Sequence, residues 1–218
     1  MKRKDILLLA CLLPFTSGLI NSMGLYLFEL VTTNVAGHFG TFLQQLMGLN
    51  YAKGLILLGG VGAYALGAFG ATLSGEMLKK TKFSSLIPVL LNVLILSFLQ
   101  FIPFKNGHFA VMWLLFGGMG AYNAFASNLT NGQVKPSQLT GLLIDACVDT
   151  AKIASKRYPI ITNADLRKKN QVRWLVIAFF SLGVVVNVAL QQSGVLAVVR
   201  LPLLFLLIVT SVLAIKIV

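Results

Sequence analysis

The chain contains 218 residues, of which 57% are hydrophobic and only 11% are charged. Soluble globular proteins carry about 25% charged residues, so this composition excludes a soluble enzyme and a disordered chain and predicts a multipass membrane protein. The net charge of +12 therefore has to be interpreted through membrane topology before any partner is inferred.

Six apolar windows approach or exceed the length of about 20 residues that a transmembrane helix needs. In chain order they comprise residues 6–28, 54–75, 83–104, 109–130, 174–190 and 195–215. The first window contains Pro14, Gly18 and Asn21, which predicts a kinked helix. We therefore expect an all-α integral membrane fold with six transmembrane helices.

The basic residues indicate the orientation of these six helices. When the N-terminus is placed in the cytoplasm, every lysine and arginine except Lys53, Lys105 and Arg200 falls on the cytoplasmic side. This asymmetry follows the positive-inside rule and predicts cytoplasmic N- and C-termini. The lipid bilayer, through its anionic headgroups, is the expected partner of the basic residues, and no nucleic-acid partner is expected.

The two halves of the sequence repeat the same order of motifs. Gly18 and Asn21 in the first window have the same spacing as Gly120 and Asn123 in the fourth. The matched stretches downstream are Thr33-Asn34-Val35-Ala36-Gly37-His38 and Ser137-Gln138-Leu139-Thr140-Gly141, each followed by a short amphipathic or re-entrant segment, at 39–49 and 142–153. Three helices in each half predict two inverted three-helix repeats, at about 1–106 and 107–218, within a single membrane domain, 1–218.

Longer motifs surround these matched residues. They read Gly18-Leu19-Ile20-Asn21-Ser22 and Thr32-Thr33-Asn34-Val35-Ala36-Gly37-His38 in the first half, and Met119-Gly120-Ala121-Tyr122-Asn123-Ala124 and Thr140-Gly141 in the second. Their order resembles the YoaK-like family of bacterial multipass membrane proteins, whose function is unknown. Asn21 stands where that family frequently has Asp, Ala36 where it has Thr, and Tyr122 where it usually has Gln. The resemblance implies a location in the bacterial inner (cytoplasmic) membrane and supplies no activity.

Polar residues inside or beside the apolar windows are candidates for a solute-binding site. An amide in hydrocarbon needs a partner, which is either a solute or a neighbouring helix. The Thr, Asn and Gly residues after the first and fourth windows either present helix N-termini to a solute or form capped turns at the membrane surface. His38 either relays a proton or caps a helix. The candidate solute-binding residues are Asn21, Thr33, Asn34, Gly37, His38, Asn123, Thr140 and Gly141.

A stripe of small residues follows the second apolar window. Its members recur every four positions and comprise Gly59, Ala63, Gly67, Ala71 and Gly75. Such a stripe allows close helix packing in lipid, either within the chain or against another protomer. It therefore predicts a helix-packing surface and leaves a homo-oligomer open.

The second amphipathic segment contains two carboxylates, Asp145 and Asp149, one helical turn apart and followed by Lys152 and Lys156. We expect a solvated charged face there rather than a catalytic carboxylate pair. The sequence has no phosphate-binding loop, Ser-His-Asp arrangement or metal-ligand motif. We therefore expect neither an enzyme nor a cofactor or metal site.

The interpretation that we prefer is a small-solute permease or carrier whose polar site lies between the inverted repeats. The scarcity of charge within the windows indicates a neutral or weakly charged solute. The alternative is a non-transporting membrane scaffold or accessory subunit. In that alternative the small-residue stripe is an intermolecular surface and the repeated motifs are purely structural.

Overall fold

The computed structural model describes residues 2–77, 86–99, 101, 109–155, 160–193 and 195–217, and these residues form helices and short connections without a strand. The helices of this part of the chain are α1 (Arg3–Phe28), α2 (Val35–Met47), α3 (Tyr51–Met77), α4 (Ile87–Leu99), α5 (Phe109–Leu129), α6 (Leu139–Ala154), α7 (Ile160–Leu190) and α8 (Val195–Ile217). A 3₁₀ turn, Gln191–Ser193, joins α7 to α8. The prediction of an all-helical chain is confirmed for these residues.

Within the described residues, four helices are long and apolar enough to cross a membrane, namely α1, α3, α5 and the part of α7 from Asn163 to Leu190. Helices α4 and α8 contribute shorter apolar stretches, Ile87–Leu99 and Val198–Thr210. The six predicted windows therefore correspond to six apolar helices, of which four have spanning length. Both ends of the predicted window 83–104 lie outside the described residues.

Some predicted boundaries differ from the observed helices. Helix α1 continues through Pro14, and α7 begins at Ile160, well before the predicted window 174–190. Helices α2 and α6 begin before the predicted segments 39–49 and 142–153, because the polar motif residues form their first turns.

The helices of the two halves are interleaved rather than packed as separate blocks. Helix α1 packs against α7, and α5 packs against α3. Likewise α2 packs on α3 as α6 does on α7, and α4 packs on α5 as α8 does on α1. When α1, α2, α3 and α4 are exchanged with α5, α6, α7 and α8 respectively, each of these helix contacts therefore becomes another observed helix contact.

Helices α1 and α5 form the centre of this arrangement. Their apolar windows are 72% and 67% buried, whereas those of α3 and α7 are 17% and 28% buried. The central helices therefore contact other helices over most of their surface. The peripheral helices α3 and α7 leave most of theirs, including Leu66 and Val185, for lipid.

Glycines allow the two main helix pairs to approach closely. A Cβ atom added at any of four glycines would collide with a backbone carbonyl of the partner helix. The four contacts are Gly18 to Phe180, Gly183 to Phe15, Gly67 to Gly117 and Gly120 to Tyr64. The first two join α1 to α7 and the last two join α3 to α5. Close backbone contact of this kind is how helices associate in lipid.

The contacts along each pair show that its helices run in the same direction. Near the start of α1, Arg3 donates a hydrogen bond to Gln171 of α7 (2.9 Å), and further along Asn187 donates to the Leu19 carbonyl (3.0 Å). The corresponding bonds between α5 and α3 run from Trp113 to the Ile56 carbonyl (2.9 Å) and from Asn128 to Thr72 (3.2 Å). In both pairs the contacting residues advance together, so each pair is parallel.

Candidate functional site

Asn21 of α1 holds the connection between α1 and α2. Its Oδ1 accepts hydrogen bonds from the Thr32 hydroxyl (3.0 Å), the Thr33 hydroxyl (2.8 Å) and the Thr33 backbone N–H (3.1 Å). Its Nδ2 donates to the Ser17 carbonyl (2.8 Å). The Asn21 side chain is buried and its hydrogen-bonding groups are satisfied within the chain.

This contact makes the chain fold back after α1. Helix α1 ends at Phe28, two helical turns beyond Asn21 and so about 10 Å further along the axis. Thr33 nevertheless lies at the level of Asn21, so the connection returns along the side of α1. Helix α2 therefore begins near the level of Asn21, beside the last third of α1, and not beyond the end of α1.

Asn123 of α5 makes the equivalent contact in the second half. Its Oδ1 accepts a hydrogen bond from the Ser137 hydroxyl (3.0 Å), and its Nδ2 donates to the Tyr64 hydroxyl of α3 (3.0 Å). Helix α5 ends at Leu129, so this connection also folds back before α6 begins. The same element, an asparagine that binds a returning hydroxyl residue, occurs in both halves.

The two returning connections meet at one cavity of about 490 Å³. Its polar lining comes from both halves and comprises Thr33, Asn34, Tyr64, Ser137, Gln138 and Thr140. The described lining contains no Lys, Arg, Asp or Glu. We call this space the central cavity. It offers hydroxyl and amide groups to a ligand without a formal charge.

Helices α2 and α6 both begin at the central cavity. Their N-cap residues, Asn34 and Gln138, have nearly the same backbone angles, φ −84° and ψ 58° against φ −84° and ψ 55°. The Asn34 side chain accepts a hydrogen bond from the Gly37 N–H (3.2 Å), whereas the Gln138 side chain makes no such bond. Two helix N-termini at one cavity favour a ligand with hydrogen-bond acceptors.

The candidate residues occupy three positions relative to this cavity. Thr33, Asn34, Thr140 and Gly141 line it. Asn21 and Asn123 lie one hydrogen bond behind the lining, because they bind Thr33 and Ser137. The remaining candidates, Gly37 and His38, are not part of the described lining.

His38 packs at the start of α2 and is not part of the described lining of the cavity. Its Nε2 lies 2.7 Å from the Val31 carbonyl, and its ring centroid lies 5.1 Å from that of Phe116. The side chain is buried. Gly37 is placed by the same turn, since a Cβ there would collide with the capping side chain of Asn34. Both residues thus hold the start of α2.

Tyr64 and Phe180 line the central cavity, although neither belongs to one of the repeated sequence motifs. Their backbone carbonyls also pack against glycines of the partner helices, Tyr64 against Gly120 and Phe180 against Gly18. Tyr64 differs by its hydroxyl, which binds Asn123. The sequence marks Tyr64 only as a tyrosine that directly follows Ala63 of the small-residue stripe, in a helix otherwise rich in Gly, Ala and Leu.

The small-residue stripe of α3 faces α5 within the chain. A Cβ at Gly59 would meet the Trp113 ring, and the Ala63 carbonyl lies 3.3 Å from where a Gly117 Cβ would be. Gly67, as described above, meets the Gly117 carbonyl. Ala71 lines a peripheral cavity, and Gly75 has open space around it. The middle of the stripe is therefore an internal packing surface.

The expectation of a solvated charged face on α6 is wrong for Asp149. This residue is 7% exposed and forms an ion pair with Arg173 of α7. The same guanidinium group lies 3.3 Å from the carboxylate of Asp145. A sequence pattern within α6 does not reveal this partner, because Arg173 lies on another helix.

Comparison with known proteins places the chain in a family. The family described as "Protein of unknown function (DUF1275)" matches residues 9–212, and the chain belongs to it. No curated protein and no solved structure matches the chain. The family assignment agrees with the resemblance to an uncharacterised family that the sequence motifs indicated.

Proposed function

We propose that this member of the DUF1275 family is a small-solute permease or carrier of the bacterial inner membrane, and that the central cavity is its solute site. The observation that carries the proposal is that equivalent connections from the two halves line one cavity. Thr33 and Thr140, one from each half, line this shared space. The uncharged lining suits a neutral or weakly charged solute.

The proposal includes six transmembrane helices, α1, α3, α4, α5, α7 and α8, arranged as two inverted three-helix repeats. In a chain that crosses the membrane six times, the first and fifth spans run in the same direction, and so do the second and fourth. The parallel pairs α1–α7 and α3–α5 meet both requirements. The first and fourth spans then run in opposite directions, as in an inverted repeat. The basic residues favour cytoplasmic termini.

In this topology α2 and α6 are half-helices that approach the central cavity from opposite faces of the membrane. Each begins at the cavity and runs outward beside its neighbour, α3 or α7. Backbone that is not helical is tolerated at such depth when it lines a polar cavity. Interrupted helices at the interface of inverted repeats are a recurrent design of transporter binding sites.

The contacts favour moving bodies that each mix the two halves. Helices α1, α6 and α7 form one set of packed neighbours, and α2, α3 and α5 form another. The central cavity lies between these sets, with Phe180 on one and Tyr64 on the other. We propose that alternating access uses motion between these sets about the Asn21–Thr33 and Asn123–Ser137 bonds, which join them, rather than rocking of residues 1–106 against 107–218.

The test is cysteine accessibility from each side of the membrane. The background removes the two free cysteines through Cys11→Ala and Cys147→Ala, and a single cysteine then replaces Asn34 or Thr140. A membrane-impermeant maleimide applied to right-side-out and inside-out vesicles should label both positions. A matched control replaces Met119, which is fully buried and should stay unlabelled. Failure to label positions 34 and 140 from either side contradicts the proposal.

A further inference from the structure

A second cavity, of about 310 Å³, adjoins the central cavity. It lies between the connection before α6, the first turns of α6 and the start of the apolar part of α7. Its charged lining comprises Lys135, Asp145, Lys169 and Arg173. Gln138 and Gly141 line both this space and the central cavity. We call it the basic vestibule.

Gly141 leaves the junction between the two cavities open. A Cβ atom at this position would meet no atom within 4 Å. Gln138, the N-cap of the same helix and the other shared lining residue, does not use its side chain to cap α6. No packed side chain therefore fills the space beside Gly141.

The charge of Arg173 is already balanced within the vestibule. Its guanidinium group binds Asp149 and also lies 3.3 Å from Asp145. The side chains of Arg173 and Asp149 are only 22% and 10% exposed. Two carboxylates thus face one cation, which leaves Arg173 unavailable as the main ligand of an anion.

Lys135 and Lys169 are different, because neither makes an ion pair or a hydrogen bond with any part of the chain that the structure describes. Both lysines line the vestibule. Ammonium groups on one cavity, without a carboxylate partner, attract and bind an anion. By contrast, Lys168, which directly precedes Lys169 in α7, forms an ion pair with Asp165 at 3.3 Å.

We infer that the basic vestibule binds a small anionic group, a carboxylate or a phosphate, through Lys135 and Lys169, and that this site collects the solute for the central cavity. The second clause rests on the proposed function and narrows its neutral or weakly charged solute to a weakly charged one, a small anion that the two helix N-termini at the central cavity favour. The first clause does not rest on it. A free solute and a lipid headgroup both carry this chemistry, so the experiment separates the two sources.

The experiment measures anion binding by the full-length protein in an uncharged detergent. Inorganic phosphate and acetate are titrated at constant ionic strength, and the unfolding temperature is followed, because a ligand of the folded state raises it. We expect saturable stabilisation. The variant Lys135→Gln/Lys169→Gln should need at least about tenfold more anion, as expected when a charge-assisted hydrogen bond is lost.

A matched control separates a site from general surface charge. The variant Lys152→Gln/Arg167→Gln removes the same charge from the same face of the membrane, on α6 and α7, but outside the vestibule lining. It should bind the anions like the unmodified protein. An equal loss in both variants, or no anion stabilisation in the unmodified protein, overturns the inference.

Two further arms identify the source of the anion. Nanodiscs of phosphatidylcholine alone are compared with nanodiscs that also contain phosphatidylglycerol. Competition by phosphatidylglycerol against added phosphate identifies a lipid headgroup and overturns the solute-collecting role. Unchanged phosphate binding supports that role. Cysteine labelling at positions 34 and 140 is read separately, so failure of the vestibule and failure of the proposed function are distinguishable.

Discussion

Asn21 binds Thr33 twice, at 2.8 Å through the threonine hydroxyl and at 3.1 Å through the backbone N–H. This pair ties the residues that precede α2 to the last third of α1. Since Thr33 lines the central cavity, the same two bonds position one wall of the candidate site. The geometry of the site thus depends on a buried amide that does not itself face the cavity.

We predict that Asn21→Ala destabilises the protein by about 2 kcal/mol or more, because buried donors of Thr32 and Thr33 lose their acceptor. Asn21→Asp retains an acceptor oxygen and should cost less. Thermal or urea unfolding in detergent measures both. An Asn21→Ala variant as stable as the unmodified protein would show that the connection is not held by this residue.

We predict that Gly67→Ala is destabilising by about 1–3 kcal/mol, since the added Cβ collides with the Gly117 carbonyl and the helices must separate. Gly70→Ala is the matched control on the same helix, because a Cβ there meets no atom within 4 Å. It should be neutral or slightly stabilising. Equal stability of the two variants in detergent would contradict the observed α3–α5 contact.

The bond between Asn123 and Tyr64 predicts energetic coupling between the halves. Tyr64→Phe and Asn123→Ala should each be destabilising, and their double variant should cost less than the sum, by about 1 kcal/mol. A double-mutant cycle of unfolding free energies provides the measurement. The pair Phe180→Leu and Asn123→Ala serves as a reference, and additive behaviour in the Tyr64 cycle would refute the coupling.

We predict that Arg173→Ala destabilises the protein by about 3 kcal/mol, because it leaves the buried carboxylate of Asp149 without its cation. Asp145→Ala should cost less than about 1 kcal/mol, since that side chain is 58% exposed. The double variant Arg173→Ala/Asp149→Ala should recover part of the loss. Unfolding midpoints of the three variants decide the question, and a mild Arg173→Ala paired with a severe Asp145→Ala would reverse the assignment.

Much of the helical framework is encoded locally. Hydropathy places the predicted windows on α1, α3 and α5, because an apolar run of sufficient length needs no distant partner to be recognised. Hydropathy does not reveal the start of α7, since that helix begins among charged residues that precede the apolar window. Motif spacing likewise located the two polar connections, Thr33–Gly37 and Ser137–Gly141.

What those connections do is a property of the packing. Thr33 and Thr140 are far apart in the chain, and they share a cavity only because α1 pairs with α7 and α5 with α3. His38 carries suggestive chemistry, yet its ring is bound to the Val31 carbonyl.

By itself, the sequence determined the apolar helices, their charge asymmetry and the repeated motifs, because these follow from residue type and spacing along one segment. The tertiary structure alone decided that Tyr64 lines the central cavity, that Asp149 is buried against Arg173, and that Lys135 and Lys169 share a vestibule. Such juxtapositions arise from contacts between helices distant in the chain, and side-chain periodicity within a helix does not specify its neighbour.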